Sequence, residues 1–475
     1  MKLPTLRTWP TVLSGILLFL GISFVVATSL FLSPALSVPY PEKSLARVAG
    51  RTMQLREALG RISPSERRLH AFWDPSLGTP EELARLIEWH REIVRLAKDP
   101  AILTNLPGVM TRVGVMEGES GQLDLLQKQT RNWLDNGPVP VPLYAALLRA
   151  AYFEEPPPAR WPGLLHELLP PDWFRDRLEG RLYRKTGETA RADAIRRADR
   201  QTARQLFWRY RILTGLDLAV FLLLGVASVI FLKFPRGFWK AGPASLPPPW
   251  PVPVGMALLV RGCGVGVALS FAFAFLPAGS HPAGMLFSYL LWTLPVIWLF
   301  YRLLLRPNGL MLRQELGLSV PAKNWGKLAL IALLGLGIDS AGSWLIGMAG
   351  SSLALPNHWA ESFDADLVFG SFPALACSLA GIVFFGPFFE ELTFRGFLYG
   401  TLRGRLGPMP AGFASAGVFS LVHGYGLVGF LTVFWSGVVF AWVYEKSGSL
   451  WPCVAAHGAG NLLYSMNVIA MLRLA

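Results

Sequence analysis

Cysteine is nearly absent from this 475-residue chain: there are three, Cys263, Cys377 and Cys453, each inside an apolar segment. No two stand in CxxC spacing, so paired-thiol metal or redox chemistry has no residues to build on, and the thiols read as small hydrophobes in helix packing. HExxH is missing as well, which removes the familiar helix-borne zinc site. The basic residues give a formal net charge of +13 but are not interleaved with stacking aromatics. That argues against nucleic acid as a partner. No matching pair of broken apolar segments recurs in two halves of the chain, which counts against a transporter. Between residues 41 and 209 no chemical motif occurs. His70, His90 and His166 lack a carboxylate or second histidine at ligand spacing and read as members of solvated helical faces.

What is present is apolar sequence in blocks. The hydrophobic fraction, 52%, is close to that of a globular protein, so distribution decides the class. Blocks of roughly membrane-spanning length run over 11–32, 212–232, 254–276, 283–304, 328–348, 371–392, 411–423, 427–444 and 450–471, while charge concentrates between 41 and 211. The short, glycine-rich block at 411–423 is the least typical span. The expected architecture is an all-α polytopic membrane bundle of about eight or nine spans, with a large helical insertion after the first. The loops 233–240, 302–327 and 403–405 are basic and 358–366 is acidic. Alternation through nine spans puts the basic loops on the side of Lys2 and Arg7, with the N-terminus cytoplasmic and the insertion outside. The first block is longer than the apolar stretch of a cleaved signal and reads as an anchor, although Ala35-Leu36-Ser37 has the look of a cleavage site. Arg261 can snorkel to the inner surface.

The insertion reads as helical over 44–59 and 80–98, with proline breaks at 138–142, 156–158 and 170–171. A helix, a turn at Lys185-Thr186-Gly187 and a second helix resemble one tetratricopeptide-type unit, with Leu182, Tyr183, Gly187 and Ala192 in the matching places.

The chemistry gathers near the far end of the sequence. Glu390, Glu391 and Arg395 lie inside an apolar run, where a charge costs at least about 2.5–3.5 kcal/mol and needs a partner or a task. Glu391 and Arg395 are four apart and share a helical face, so they can form an ion pair. Glu390 lies about 100° further round without that partner, and is the reactive candidate. Gly386-Pro387 just upstream predicts a kink beside the carboxylates. His423 stands in one later block; His457 and Asn461, four apart, share a face in another. A carboxylate and an imidazole can activate water, and His and Asn donors can stabilise an oxyanion. Asp339, near mid-span in 328–348, either touches this site or makes a polar helix contact.

Together, Glu390-Glu391-x-x-x-Arg395, Phe419-x-x-x-His423 and His457-x-x-x-Asn461 resemble the CAAX prenyl protease and bacteriocin-processing (CPBP, or Abi) family of intramembrane proteases. The resemblance covers 328–471 and implies a helical bundle around a cavity where peptide bonds are hydrolysed. It implies that Glu390 activates water with His423, that His457 and Asn461 form the oxyanion site, and that Glu391 and Arg395 support the first motif. Apolar blocks and charge divide the rest of the chain into a membrane anchor at 1–40, an extracytoplasmic helical domain at 41–210, of which the resemblance says nothing, and further membrane helices and cytoplasmic loops at 211–325, before the protease-like core at 326–475.

The implied partners are a protein or peptide substrate at the membrane and the bilayer itself, in a bacterial inner (plasma) membrane. Zinc, if used, would sit on Glu390, His423 and His457; an asparagine beside His457 suits an oxyanion better, and a metal-free reaction is expected. Counted along the chain, Glu390 and His457 fall in the inner half of the bilayer and His423 towards the outer end of its span. Two other readings stay open: a catalytically silent immunity or scaffold member of the family, and a transporter with a buried Glu–Arg pair. The domain at 41–210 is expected to recruit a substrate or hold a partner.

Overall fold

The structure is a computed structural model and describes residues 1–96, 106–137, 140–276 and 281–474. Among the described residues there are helices and no strand. The first apolar block forms α1 (Thr8–Phe31). The polar region is a run of short helices: α2 (Pro41–Leu59), α3 (Pro64–Trp73), α4 (Pro80–Leu96), α5 (Leu106–Glu119), α6 (Leu123–Asn136), α7 (Val141–Tyr152), α8 (Trp161–Leu168) and α9 (Trp173–Lys185). α10 (Thr189–Lys233) is a single helix of 45 residues. α11 (Val252–Ala274), α12 (Pro282–Phe300), α13 (Leu312–Glu315), α14 (Trp325–Ser352) and α15 (Ala365–Phe369) follow. The glutamate segment is α16 (Phe372–Ala380), a π-helical turn Gly381–Phe385, α17 (Gly386–Glu391), a π-helical stretch Leu392–Tyr399 and α18 (Gly400–Arg403). α19 (Pro408–Leu421), α20 (Leu427–Ser447) and α21 (Trp451–Val468) come after it.

All nine apolar blocks are helical, and among the described residues seven stretches are long and apolar enough to cross a membrane. α19 and α21, with 14 and 18 residues, are not among the seven. Phe19, Phe24 and Leu222 are exposed on the long helices, as side chains facing hydrocarbon are. The chain is an integral, multi-pass membrane protein.

It divides into two compact units, Met1–Ser33 with Gly215–Val468, and Pro34–Thr214 with Ile469–Ala475. In the first, α11 packs on α12, α19 on α20, and α14 on both α20 and α21. Small residues make the close approaches possible: a Cβ on Gly262 would lie 2.6 Å from Val296 Cα, so α11 meets α12 almost backbone to backbone. Arg261 does not reach for solvent alone; its Nε donates to Thr11 Oγ1 at 2.8 Å, tying α11 to the start of α1.

The second unit has its own core, with Leu86, Met116, Leu148, Phe174 and Leu178 buried in one cluster. α4 shows why it folds. Pro80 opens it, Glu81 and Glu82 occupy its positive first turn, and Leu83, Leu86, Ile87, His90 and Ile93 form one buried stripe. His90 is therefore a core residue with 0% exposure, its Nδ1–H donating to Leu86 O at 2.8 Å. His70 is buried against Phe207 and Tyr210. Both correct the expectation of solvated faces: His90 lies in the buried apolar stripe of α4, and His70 is covered by the Phe207 and Tyr210 rings of α10; of the three, His166 alone is half-exposed, with 51% side-chain exposure. Asp172 caps α9 by accepting from Arg175 N–H at 3.0 Å and pairs with Arg112 at 3.1 Å. The α9–α10 turn passes through Gly187 at φ +83, and Leu182, Tyr183 and Ala192 are buried beside it, as in the helix pair expected there. Lys98 and Pro138, an expected helix end and an expected break, lie outside the described residues.

Candidate active site

The site begins with a departure from regular helix. Proline at 387 has no N–H and its ring would strike the carbonyl four residues back, so the chain widens into a π turn just before it. This is the physical form of the expected kink. A second π-helical stretch starts at Leu392, immediately after the carboxylates.

Glu391 and Arg395 are both fully buried, and Arg395 Nη1 donates to Glu391 Oε1 at 2.9 Å. The rest of the guanidinium is placed against ring faces, 4.3 Å from the centroid of Phe419 and 5.4 Å from that of Phe440. The same Glu391 oxygen lies 2.9 Å from His457 Nδ1. A carboxylate only accepts, so Nδ1 carries a proton and Nε2 points the other way. Nε2 is 3.9 Å from Glu390 Oε2, too long for a hydrogen bond and wide enough for small movements of either group. Phe440 stacks on the His457 ring at 5.1 Å and holds it in plane.

His423 follows α19, and its Nδ1 lies 2.6 Å from Phe419 O. A carbonyl also only accepts, so Nε2 is left as the basic nitrogen. The Phe419 ring is edge-on to both His423, at 4.7 Å, and His457, at 6.1 Å. The two histidines thus flank one ring and do not lie at opposite ends of the membrane. α19 has 14 residues and rises only about 21 Å, less than the hydrocarbon thickness that a residue count assumes it crosses. Asn461 Nδ2 donates to Ile382 O at 2.8 Å, in the π turn.

The structure therefore brings Glu390, Glu391, Arg395 and His457 into one connected set, sets His423 beside it through Phe419, and turns Asn461 to the backbone. Sequence reading missed Phe440, which carries no chemical signal, and the second partner of Glu391, since contacts between distant helices leave no spacing. Asp339 accepts from Ser436 Oγ at 2.6 Å, so it makes a polar contact between α14 and α20. Among the described residues no three His, Cys, Asp or Glu side chains are arranged to hold a metal ion.

A buried carboxylate, a partly exposed one and two partly buried imidazoles on adjoining helical segments define a polar site within an apolar bundle. Residues 372–463 match the family model described as Rce1-like, type II CAAX prenyl endopeptidase, in line with the CAAX protease resemblance carried by the motif residues. All six expected site residues lie inside the match. No curated protein and no solved structure matches the chain.

Proposed function

We propose that this protein is an intramembrane endopeptidase that hydrolyses peptide bonds of membrane-associated proteins or peptides. The observation that carries the reading is the Glu391–His457–Glu390 arrangement: one buried carboxylate fixes the imidazole at Nδ1, and Nε2 faces a second, partly exposed carboxylate at 3.9 Å. In the reaction so read, Glu390 takes a proton from water with His423 Nε2 as the second acceptor, and the hydroxide adds to the substrate carbonyl. In its protonated form His457, held at Nδ1 by Glu391, presents Nε2–H to the oxyanion that forms, with Asn461 next to it. The tetrahedral intermediate collapses as Glu390 returns its proton to the leaving amine, releasing a new carboxylate and a new amine. No metal or other cofactor takes part in this scheme, and no nucleic acid is a partner.

The basic loops 233–240, 302–327 and 403–405 support a cytoplasmic N-terminus with residues 41–210 extracytoplasmic, in what is read as a bacterial inner (plasma) membrane. That helical unit is read as the place where a substrate protein is recruited.

Purified protein in proteoliposomes, presented with a library of membrane-anchored peptides, tests the reading. New peptide termini found by mass spectrometry support it. Their absence, with a correctly inserted protein, returns the silent or solute-handling alternatives.

A further inference from the structure

Two backbone carbonyls beside the glutamates lack their ordinary donors, and α21 covers both. The Gly386 N–H bonds to Gly381 O, five residues back, and so bypasses Ile382 O. The residue five beyond Ile382 is Pro387, which has no N–H to give it. Pro387 is also the residue four beyond Val383, so Val383 O has no ordinary i+4 donor either. Unpaired carbonyls in an apolar setting are costly. Asn461 Nδ2 donates to Ile382 O at 2.8 Å. One turn earlier on α21, a Cβ on Gly458 would lie 2.5 Å from Val383 O, so only glycine lets the helix come this close.

We propose that Asn461 is a positioning residue: its side-chain amide takes the place of the N–H that Pro387 lacks, and so fixes the α17 turn that carries Glu390 against His457. The proposal rests on the hydrolase reading but gives Asn461 a task that the oxyanion role does not contain. His457 and Asn461 stand one turn apart on α21, and Glu390 stands three residues beyond Pro387. One helix thus supplies an imaginary ruler's two marks: His457 sets the imidazole, and Asn461 sets the height and rotation of the backbone that brings the carboxylate to it. A displacement of about 1 Å at such a site is enough to cost about a hundredfold in rate.

A double-mutant cycle separates this from direct action on substrate. Pro387→Ala restores an N–H at the break, which can serve the freed carbonyls within the helix. If Asn461 acts through Ile382, Asn461→Ala lowers both the melting temperature and kcat, with KM little changed, in the Pro387 background. In the Pro387→Ala background the same substitution costs at least about tenfold less in kcat and little in melting temperature. An equal loss of kcat in both backgrounds, with melting unchanged, overturns the proposal. The melting arm needs no substrate, so it decides the positioning role even if no peptide is cleaved. Should Pro387→Ala fail to fold, Asn461→Asp serves in its place. It turns an acceptor towards Ile382 O, and is expected to melt below Asn461→Ala. Equal melting of the two overturns the proposal.

Discussion

His457 Nδ1 and Arg395 Nη1 both lie 2.9 Å from the same oxygen, Oε1 of Glu391. The buried carboxylate is therefore shared between an ion pair within the first motif and the imidazole to which the proposed reaction gives the oxyanion. A clasp between Glu391 and Arg395 alone would affect folding; this one couples folding to the site.

The two partners should consequently separate in their effects. Glu391→Ala or Arg395→Ala strands a buried charge and is expected to cost about 3–5 kcal/mol, read as a lowered melting temperature in detergent. The double variant should be more stable than the worse single. At matched folded protein, Glu391→Ala should lose more activity than Arg395→Ala, because it also releases His457. A double variant no more stable than the worse single removes the clasp.

In the second unit, His90 sets a pH dependence. Burial, aided by the Arg112 charge, lowers its pKa to about 3. The folded state thus refuses a proton that the unfolded chain accepts below about 6.5, so stability present above pH 6.5 is lost as pH falls towards 3. The slope is about 1.4 kcal/mol per pH unit. Glu82 and Asp176 work against it. Burial raises them to about 7 and about 6, so their contribution is present at low pH and is lost as pH rises through 4 to 7. Hydrogen exchange at the amides of α4, compared between wild type and His90→Phe, isolates the histidine. The difference in opening free energy should change between pH 6.5 and pH 4.5, with the wild type losing ground. A constant difference contradicts the buried neutral imidazole.

Chelation tests the chemistry written without metal. Prolonged treatment with a strong chelator should leave the activity of a purified sample intact, and elemental analysis should find substoichiometric zinc. Loss of activity restored by added Zn²⁺ contradicts that scheme and leaves the protease reading standing.

Much of this was legible in the residues because membrane burial makes polar groups conspicuous. Glu391 and Arg395 four apart on one face needed only helical geometry, and the pair is present at 2.9 Å. The seven long helices followed from block length. The depth of His423 was not legible, since a count of residues assumes every block crosses fully and α19 has only 14. The burial of His90 was missed because a polar type was weighed above its place in an apolar stripe, and that of His70 because its cover, Phe207 and Tyr210, comes from a helix far along the chain. The bond from Asn461 to Ile382 depends on a backbone carbonyl, which every residue carries and no sequence marks.

The most direct test of the whole account is Glu390→Gln in proteoliposomes, measured against wild type on any peptide the wild type cleaves. The amide keeps the volume of the side chain and loses its basicity. The account predicts no new peptide termini from the variant, with insertion and melting temperature like those of the wild type. Turnover equal to that of the wild type would contradict it, and water activation would have to be sought elsewhere.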